Sequence, residues 1–171
     1  MSITPSLYRL AKTAAVATVI LSVASIAALT AKAADIADTV ASSGQFKTLS
    51  AALQASGLAD ELKGKGPFTL FAPTDKAFAN LSPDTLQMLM KPENKDKLIA
   101  VLNYHVVPQQ IVADDLRGKR SMVPTAQGHF LELDGIQWWT GVDVNGTKIV
   151  DSEIPASNGA IQPVDTVLMP K

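Results

Sequence analysis

Two histidines, His105 and His129, are the only side chains here whose ordinary pKa lies near neutrality. No H-x-x-x-H or comparable spacing pairs them as metal ligands, so a metal site built on them is not expected. The absence of cysteine removes thiol nucleophiles, disulfides and Cys-based metal centres. Ser157 lies in Ser157-Asn158-Gly159, which reads as a turn rather than the strained G-x-S-x-G elbow of a serine hydrolase. Gly64-Lys65-Gly66 lacks both the spacing and the Ser/Thr of a phosphate loop. The carboxylate pairs Asp60-Glu61 and Asp114-Asp115 sit beside helix-like stretches, where solvated caps are the ordinary explanation. Catalysis requires convergent titratable groups, and these residues give none; neither an enzyme nor a cofactor is expected. Trp138-Trp139 stands out differently. In a strand, neighbouring side chains point to opposite faces, so one Trp enters the core while the other is open to a partner or an apolar ligand.

The elements that would position these residues change period along the chain. In the first half, Phe46, Leu49 and Leu53 recur at helical spacing, with Gly57 placed as a C-cap. Leu58 and Leu62 form a second short apolar pair that stops at Gly64. Residues 67–73 read as a short strand between prolines, after which Thr74 caps a helical turn carrying Ala77 and Phe78. Ser82-Pro83 starts another helix, through Leu86, Leu89 and Met90. Residues 93–103 form a further helix, leading into a strand-like segment at 104–107. The second half alternates. Phe130–Leu133 and Ile136–Trp138 read as a hairpin about Asp134-Gly135, and Val142–Val144 and Thr147–Val150 as one about Asn145-Gly146, because both dipeptides suit the type I′ turn. A last strand is expected over Val164–Met169. The expected class is α+β, with helices packed against a β-sandwich or meander.

Residues 1–33 stand apart from that pattern. Arg9 and Lys12 precede an uncharged run from Thr13 to Ala31, followed by Ala31-Lys32-Ala33, a small-x-small cleavage site. The run is rich in Ala, Ser and Thr, so it reads as a signal peptide rather than a retained membrane anchor. Cutting 33 of the 171 residues leaves one domain of 138 residues, 34–171, that is exported to the periplasm, the medium or the cell surface, with no membrane span of its own. The cut takes 15 basic against 16 acidic residues to 12 against 16, a balance of about −4. The remaining cations are scattered, Arg117, Lys119 and Arg120 being the one cluster. That is no phosphate-tracking surface, so nucleic acid is not an expected partner.

Three strings taken in order resemble the fasciclin (FAS1) domain family, over almost all of residues 34–171. Phe68-Thr69-Leu70-Phe71-Ala72-Pro73-Thr74-Asp75-Lys76-Ala77-Phe78 is similar to its first signature. Asn103-Tyr104-His105-Val106-Val107 is similar to its central Tyr-His motif. Ala156-Ser157-Asn158-Gly159-Ala160-Ile161, continuing through Val164-Asp165-Thr166-Val167-Leu168-Met169-Pro170, is similar to its second. The resemblance implies a wedge-shaped β-sandwich with helices along it, in a bacterial, secreted, single-domain member of the family. One departure is plain: Gln162-Pro163 stands where the family commonly has a histidine and a following non-proline residue. Because proline removes a backbone donor, that strand is expected at an edge or bulged.

Family members are typically adhesion or matrix-interaction modules, so the resemblance implies a surface protein or glycan as partner. Asp165, in the segment resembling a receptor-engaging region, and the exposed Trp of Trp138-Trp139 are the candidate contacts. Some relatives carry carotenoids, which implies an alternative: a carrier of a carotenoid or lipid in a groove bordered by Leu86, Leu89, Met90 and one Trp. Phe71, Pro73, Thr74, Phe78, Tyr104, His105, Asn158 and Gly159 are expected to be structural, with Phe71, Phe78 and Tyr104 in the core and His105 hydrogen-bonded near the first signature.

Overall fold

The structure is a computed structural model that describes residues 34–137, 141–150 and 152–170. Two consecutive helices open the described chain, α1 (Ile36–Ser42) and α2 (Lys47–Ser56). Gly57 ends α2 in the left-handed conformation at φ 87°, where its N–H closes onto the carbonyls of Leu53 and Gln54. A single turn, α3 (Leu58–Glu61), leads to strand β1 (Phe68–Pro73). The Thr74 side chain then caps α4 (Asp75–Ala79), and that of Ser82 caps α5 (Pro83–Met90), with proline in its first turn. After a 3-10 turn at Pro92–Asn94, α6 (Lys95–Tyr104) runs into β2 (Val106–Val107).

The strands that follow are β3 (Arg120–Pro124), β4 (Phe130–Asp134), β5 (Asp143–Val144), β6 (Thr147–Lys148), β7 (Ile154–Ala156) and β8 (Gly159–Val164). Together with β1 and β2 they form, among the described residues, two four-stranded sheets. The first has the order β2-β1-β8-β7, with β1 and β8 parallel in the register Phe68↔Gly159 to Pro73↔Val164. The second, β3-β4-β5-β6, is antiparallel throughout. The α+β class therefore holds.

Two hydrophobic cores lie on opposite faces of the first sheet. Leu70, Ala72 and Ile161 pack with Ile36, Val40, Phe46, Leu49, Leu53, Phe78 and Leu98 from the helices. Phe71 and Val164 face the other way and pack with Val123, Leu131, Leu133 and Val144 of the second sheet and with Tyr104 and Leu168. This arrangement accounts for the near-continuous apolar run of β1, because a strand covered on both faces has no polar alternation to display. The second sheet is covered on one face only, and β4 alternates: Leu131 and Leu133 are buried while Phe130 is exposed.

Three strand expectations are corrected. Phe130–Asp134 pairs with Arg120–Pro124 and with β5, not with 136–138, and residues 138–140 lie outside the described residues. Asp134-Gly135 is no type I′ turn, since Gly135 does not take a positive φ. Its backbone extends the β3–β4 ladder, donating to Lys119 and accepting from Gly118, both at 2.8 Å. A Cβ there would lie 2.0 Å from the Leu116 carbonyl oxygen, so close approach rather than turn geometry calls for glycine. The Asn145-Gly146 hairpin is as expected, with φ 51° and 78°, though its strands stop at Asp143 and Lys148.

The last strand is Gly159–Val164 rather than Val164–Met169. It is an interior strand, not an edge. Pro163 is tolerated because its polar edge faces away from β1, beyond the point where β7 stops pairing at Ile161. There its carbonyl accepts from Val150 N–H at 3.0 Å, and no donor is required of it.

Candidate functional site

The signature residues interlock before any of them reaches a surface. His105 is wholly buried at the end of α6. Its Nδ1 lies 2.7 Å from the Val101 carbonyl oxygen and its Nε2 is 3.0 Å from the Leu168 N–H. A carbonyl can only accept and an N–H can only donate, so this pair of partners demands the neutral imidazole protonated on Nδ1. Burial pushes the ring's pKa down to about 4, with the Val101 hydrogen bond pulling the other way. The His105 carbonyl in turn accepts from Phe71 N–H at 2.9 Å. The central motif thus fastens the first signature to the segment after β8. Phe71, Phe78 and Tyr104 are buried, as expected.

Asn158 forms the second fastening. Its side-chain amide donates to the carbonyls of Leu62 (2.6 Å) and Gly64 (3.0 Å), its Oδ1 accepts from Ile36 N–H (3.0 Å), and its own carbonyl accepts from Phe68 N–H (3.0 Å). Gly159 follows with no room for a side chain, because a Cβ would sit 1.9 Å from the Phe68 carbonyl oxygen. Gly66 meets the same limit from the other side, 1.9 Å from the Asn158 carbonyl oxygen. Gln162, where the family commonly has histidine, is buried beside Phe71; its Nε2 donates to Glu153 at 2.6 Å, and its Oε1 has no partner among the described residues.

Asp165 is placed differently. It is half-buried just past β8, where its Oδ1 accepts from the Thr166 hydroxyl at 3.2 Å and its backbone carbonyl accepts from the Asn80 amide at 3.4 Å. It lines an open cleft of about 480 Å³ together with Gly44, Gln45, Thr74, Asp75, Lys76 and Val150. Four local structures build that cleft: the α1–α2 loop, the β1–α4 junction, the segment after β6 at Val150 and the end of β8. Thr74 N–H bonds the Val164 carbonyl at 3.1 Å and Asp75 N–H bonds the Gln45 carbonyl at 2.9 Å, so its walls are tied together.

Asp75 has a function that sequence reasoning missed. α2 begins without a side-chain cap of its own, and Asp75 supplies one from across the cleft, accepting from Thr48 N–H (2.8 Å) and Lys47 N–H (3.3 Å). Desolvation at this contact pulls the carboxyl upward, but the hydrogen bonds from Thr48 and Lys47 outweigh it and hold the pKa below its usual range. The only local signal was that Phe46, at the N-cap position of α2, is a residue that cannot cap.

A second cleft, of about 540 Å³, opens beside the Asn158 turn between Asp35, Lys63, Lys65, Gln110 and Ser157. Trp138 and Trp139 lie outside the described residues, so the structure brings one sequence-designated contact, Asp165, to a cleft. Among the described residues no group of three or more His, Cys, Asp or Glu could hold a metal ion.

A parallel β1–β8 pair held between a helical layer and a second antiparallel sheet, and locked by the three motif strings, defines the fasciclin type of α+β domain. The model of the Fasciclin domain matches residues 44–170, and the chain belongs to that family. A relative from Synechocystis sp., Protein sll1483, is 40% identical over 134 residues, which cover 78% of this chain and 72% of that protein. Rabbit transforming growth factor-beta-induced protein ig-h3 is 32% identical over 133 residues, 78% of this chain but 19% of its own length. Human periostin is 30% identical, over 78% of this chain and 15% of its own length. A solved FAS1 domain pair from the insect cell adhesion molecule Fasciclin I superposes with a TM-score of 0.69 at 17% identity, covering 80% of this chain and 51% of that one. That last likeness bears on the fold alone.

Proposed function

We propose that this domain is an exported, non-enzymatic interaction module that attaches to a surface or matrix protein or glycan through the Asp165 cleft. The supporting observation is that both family signatures contribute side chains to one surface opening, Thr74, Asp75 and Lys76 from the first and Asp165 from the second, where the Asp165 carboxylate is not committed to the core. The fasciclin membership favours attachment over chemistry. Export rests on the leader over residues 1–33; no helix among the described residues is long and apolar enough to cross a membrane.

The carrier alternative is less well supported. Leu86 and Leu89 of α5 pack against a first core already filled by Leu49, Leu53, Leu70 and Ile161, while Met88 and Met90 point outward. Attachment of the mature domain to surface extracts of its source, compared with that of Asp165→Asn, tests the proposal. The variant should lose about tenfold or more in attachment at unchanged melting temperature, since one buried charged contact is worth this much or more. Equal attachment by both proteins would reject the cleft, and a stoichiometric carotenoid or lipid in an organic extract would put the carrier first.

A further inference from the structure

We propose that the outer edge of the second sheet is a self-pairing surface, at which two copies of this domain join β3 to β3, antiparallel, across a two-fold axis at Met122. β3 is the outer strand of that sheet, and β4 is its one strand partner among the described residues. The β3–β4 ladder decides which backbone groups are left over. Gly135 N–H bonds the Lys119 carbonyl and Thr125 N–H bonds the His129 carbonyl, both at 2.8 Å, so the exchange with β4 runs through residues 119, 121, 123 and 125. Arg120, Met122 and Pro124 therefore turn their polar backbone groups outward, where nothing among the described residues bonds them. The same three positions place their side chains on the solvent face of the sheet, opposite to buried Val123. Met122 is 60% exposed, and Phe130, which faces Pro124 across the ladder, is 57% exposed. These are the two most exposed large apolar side chains among the described residues, and they lie side by side at an open strand edge.

A second copy fits this edge in one register. With the axis at Met122, each Met122 exchanges its N–H and carbonyl with its counterpart, and each Arg120 N–H donates to the carbonyl of Pro124 of the second copy. The donor that proline lacks falls at the end of the ladder, where its loss costs the pairing least. An axis at Val123 would instead set Met122 against Pro124 and lose that donor at both central pairs. An axis at Ser121 would bring the two Arg120 side chains onto diagonal positions about 7 Å apart. The axis at Met122 separates them by about 13 Å along the strand and lays each stem beside a proline. Arg120 is ion-paired with Asp134 and Glu132 of β4, so its charge is held over its own sheet and not across the edge. Because both copies use the same strand, the contact is isologous and closes at a dimer.

The test uses the exported protein purified from its own source, with its mass followed by sedimentation equilibrium over a concentration series. A short ladder with a few apolar side chains lies at the weak end of interfaces, so half-dimerisation is expected between about 10 μM and about 100 μM. Met122→Lys sets two ammonium groups against each other at the axis and should weaken the dimer at least about tenfold, at unchanged melting temperature because the side chain it replaces is largely exposed. Met122→Cys places two thiols on Cα atoms about 5.5 Å apart in the dimer, within disulfide reach, and the chain has no other cysteine to confuse the covalent product. Arg120→Cys leaves its pair about 13 Å apart and should crosslink at least about tenfold more slowly under the same mild oxidant. A protein that stays monomeric up to about 1 mM overturns the inference, as does a dimer that Met122→Lys leaves intact, which would join the copies through another face. Equal crosslinking by the two cysteine variants rejects the axis at Met122. If Met122→Lys lowers the melting temperature, the two cysteine variants decide alone. None of these residues lines the Asp165 cleft, so either result leaves the attachment test untouched.

Discussion

Acidification should loosen this domain through His105, well before most carboxylates titrate. In the unfolded chain an imidazole takes up a proton below about pH 6.5, whereas burial holds the folded ring neutral down to about 4. Through that window the unfolded state binds more protons, so stability rises with pH. The contribution is fully present above about 6.5 and is lost as the pH falls toward 4. A shift of this size amounts to roughly 3 kcal/mol across the whole window, and to about 2 kcal/mol between about pH 7.5 and about pH 5. Urea unfolding followed by circular dichroism at several pH values in that interval measures it. His105→Gln keeps a donor and an acceptor but does not titrate. At neutral pH it should be less stable by about 2 kcal/mol, because two buried backbone groups, the Val101 carbonyl and the Leu168 N–H, lose well-aligned partners. As the pH falls the wild type should descend toward the variant, and contributions from other groups cancel in the difference. Parallel curves for the two proteins between about pH 7.5 and about pH 5 would refute the reasoning, since they would mean that His105 does not stay neutral on folding.

Two further perturbations probe the other fastenings. Asp75→Ala removes the acceptor for Thr48 and Lys47 at the start of α2, and should lower the unfolding free energy by about 1 kcal/mol at neutral pH. Because the folded carboxyl is held below its usual range, that loss should shrink as the pH drops through the folded pKa, which the same denaturation series would reveal. Gly159→Ala sets a Cβ 1.9 Å from the Phe68 carbonyl oxygen and should cost at least about 3 kcal/mol or prevent folding. Gly44→Ala, whose new Cβ would meet nothing within 4 Å, should shift the melting temperature little, and equal effects from the two substitutions would disprove the steric account.

Much of the local structure was legible because its causes are local. Gly57 as a left-handed helix stop, Thr74 and Ser82 as caps, and the Asn145-Gly146 hairpin each follow from the conformational limits of one or two residues. Asp134-Gly135 carries the same dipeptide signal as a hairpin turn, yet its glycine is there because the Leu116 carbonyl packs against it. A sequence does not distinguish a glycine needed for φ from one needed for proximity. β3 was missed because its residues alternate weakly, and it is a strand because β4 pairs with it. For the same reason Asp75 could not be read as the cap of a helix that begins 28 residues earlier. Asp165 was legible as a residue through its motif, but its cleft was not, because that cleft forms from segments near residues 45, 75, 150 and 165.

The placement of the motif residues separates what holds the fold from what is left to bind. His105 bonds the carbonyl of Val101 and the N–H of Leu168, Asn158 joins four segments, and Gly159 clears space for Phe68. Each of these residues closes the parallel β1–β8 pair or fixes the chain that flanks it. Parallel pairing is long-range and entropically costly to close, so a fold built on it needs such fastenings at fixed positions. Neither the His105 nor the Asn158 side chain is free to recognise a partner without giving up a contact that the fold uses, and Gly159 has no side chain to offer. Asp165, one residue past the end of the pair, is the first position along this segment where the backbone is held by a neighbour while the carboxylate keeps capacity to accept. Substitutions upstream of it should therefore be felt as stability, and substitutions at it as attachment.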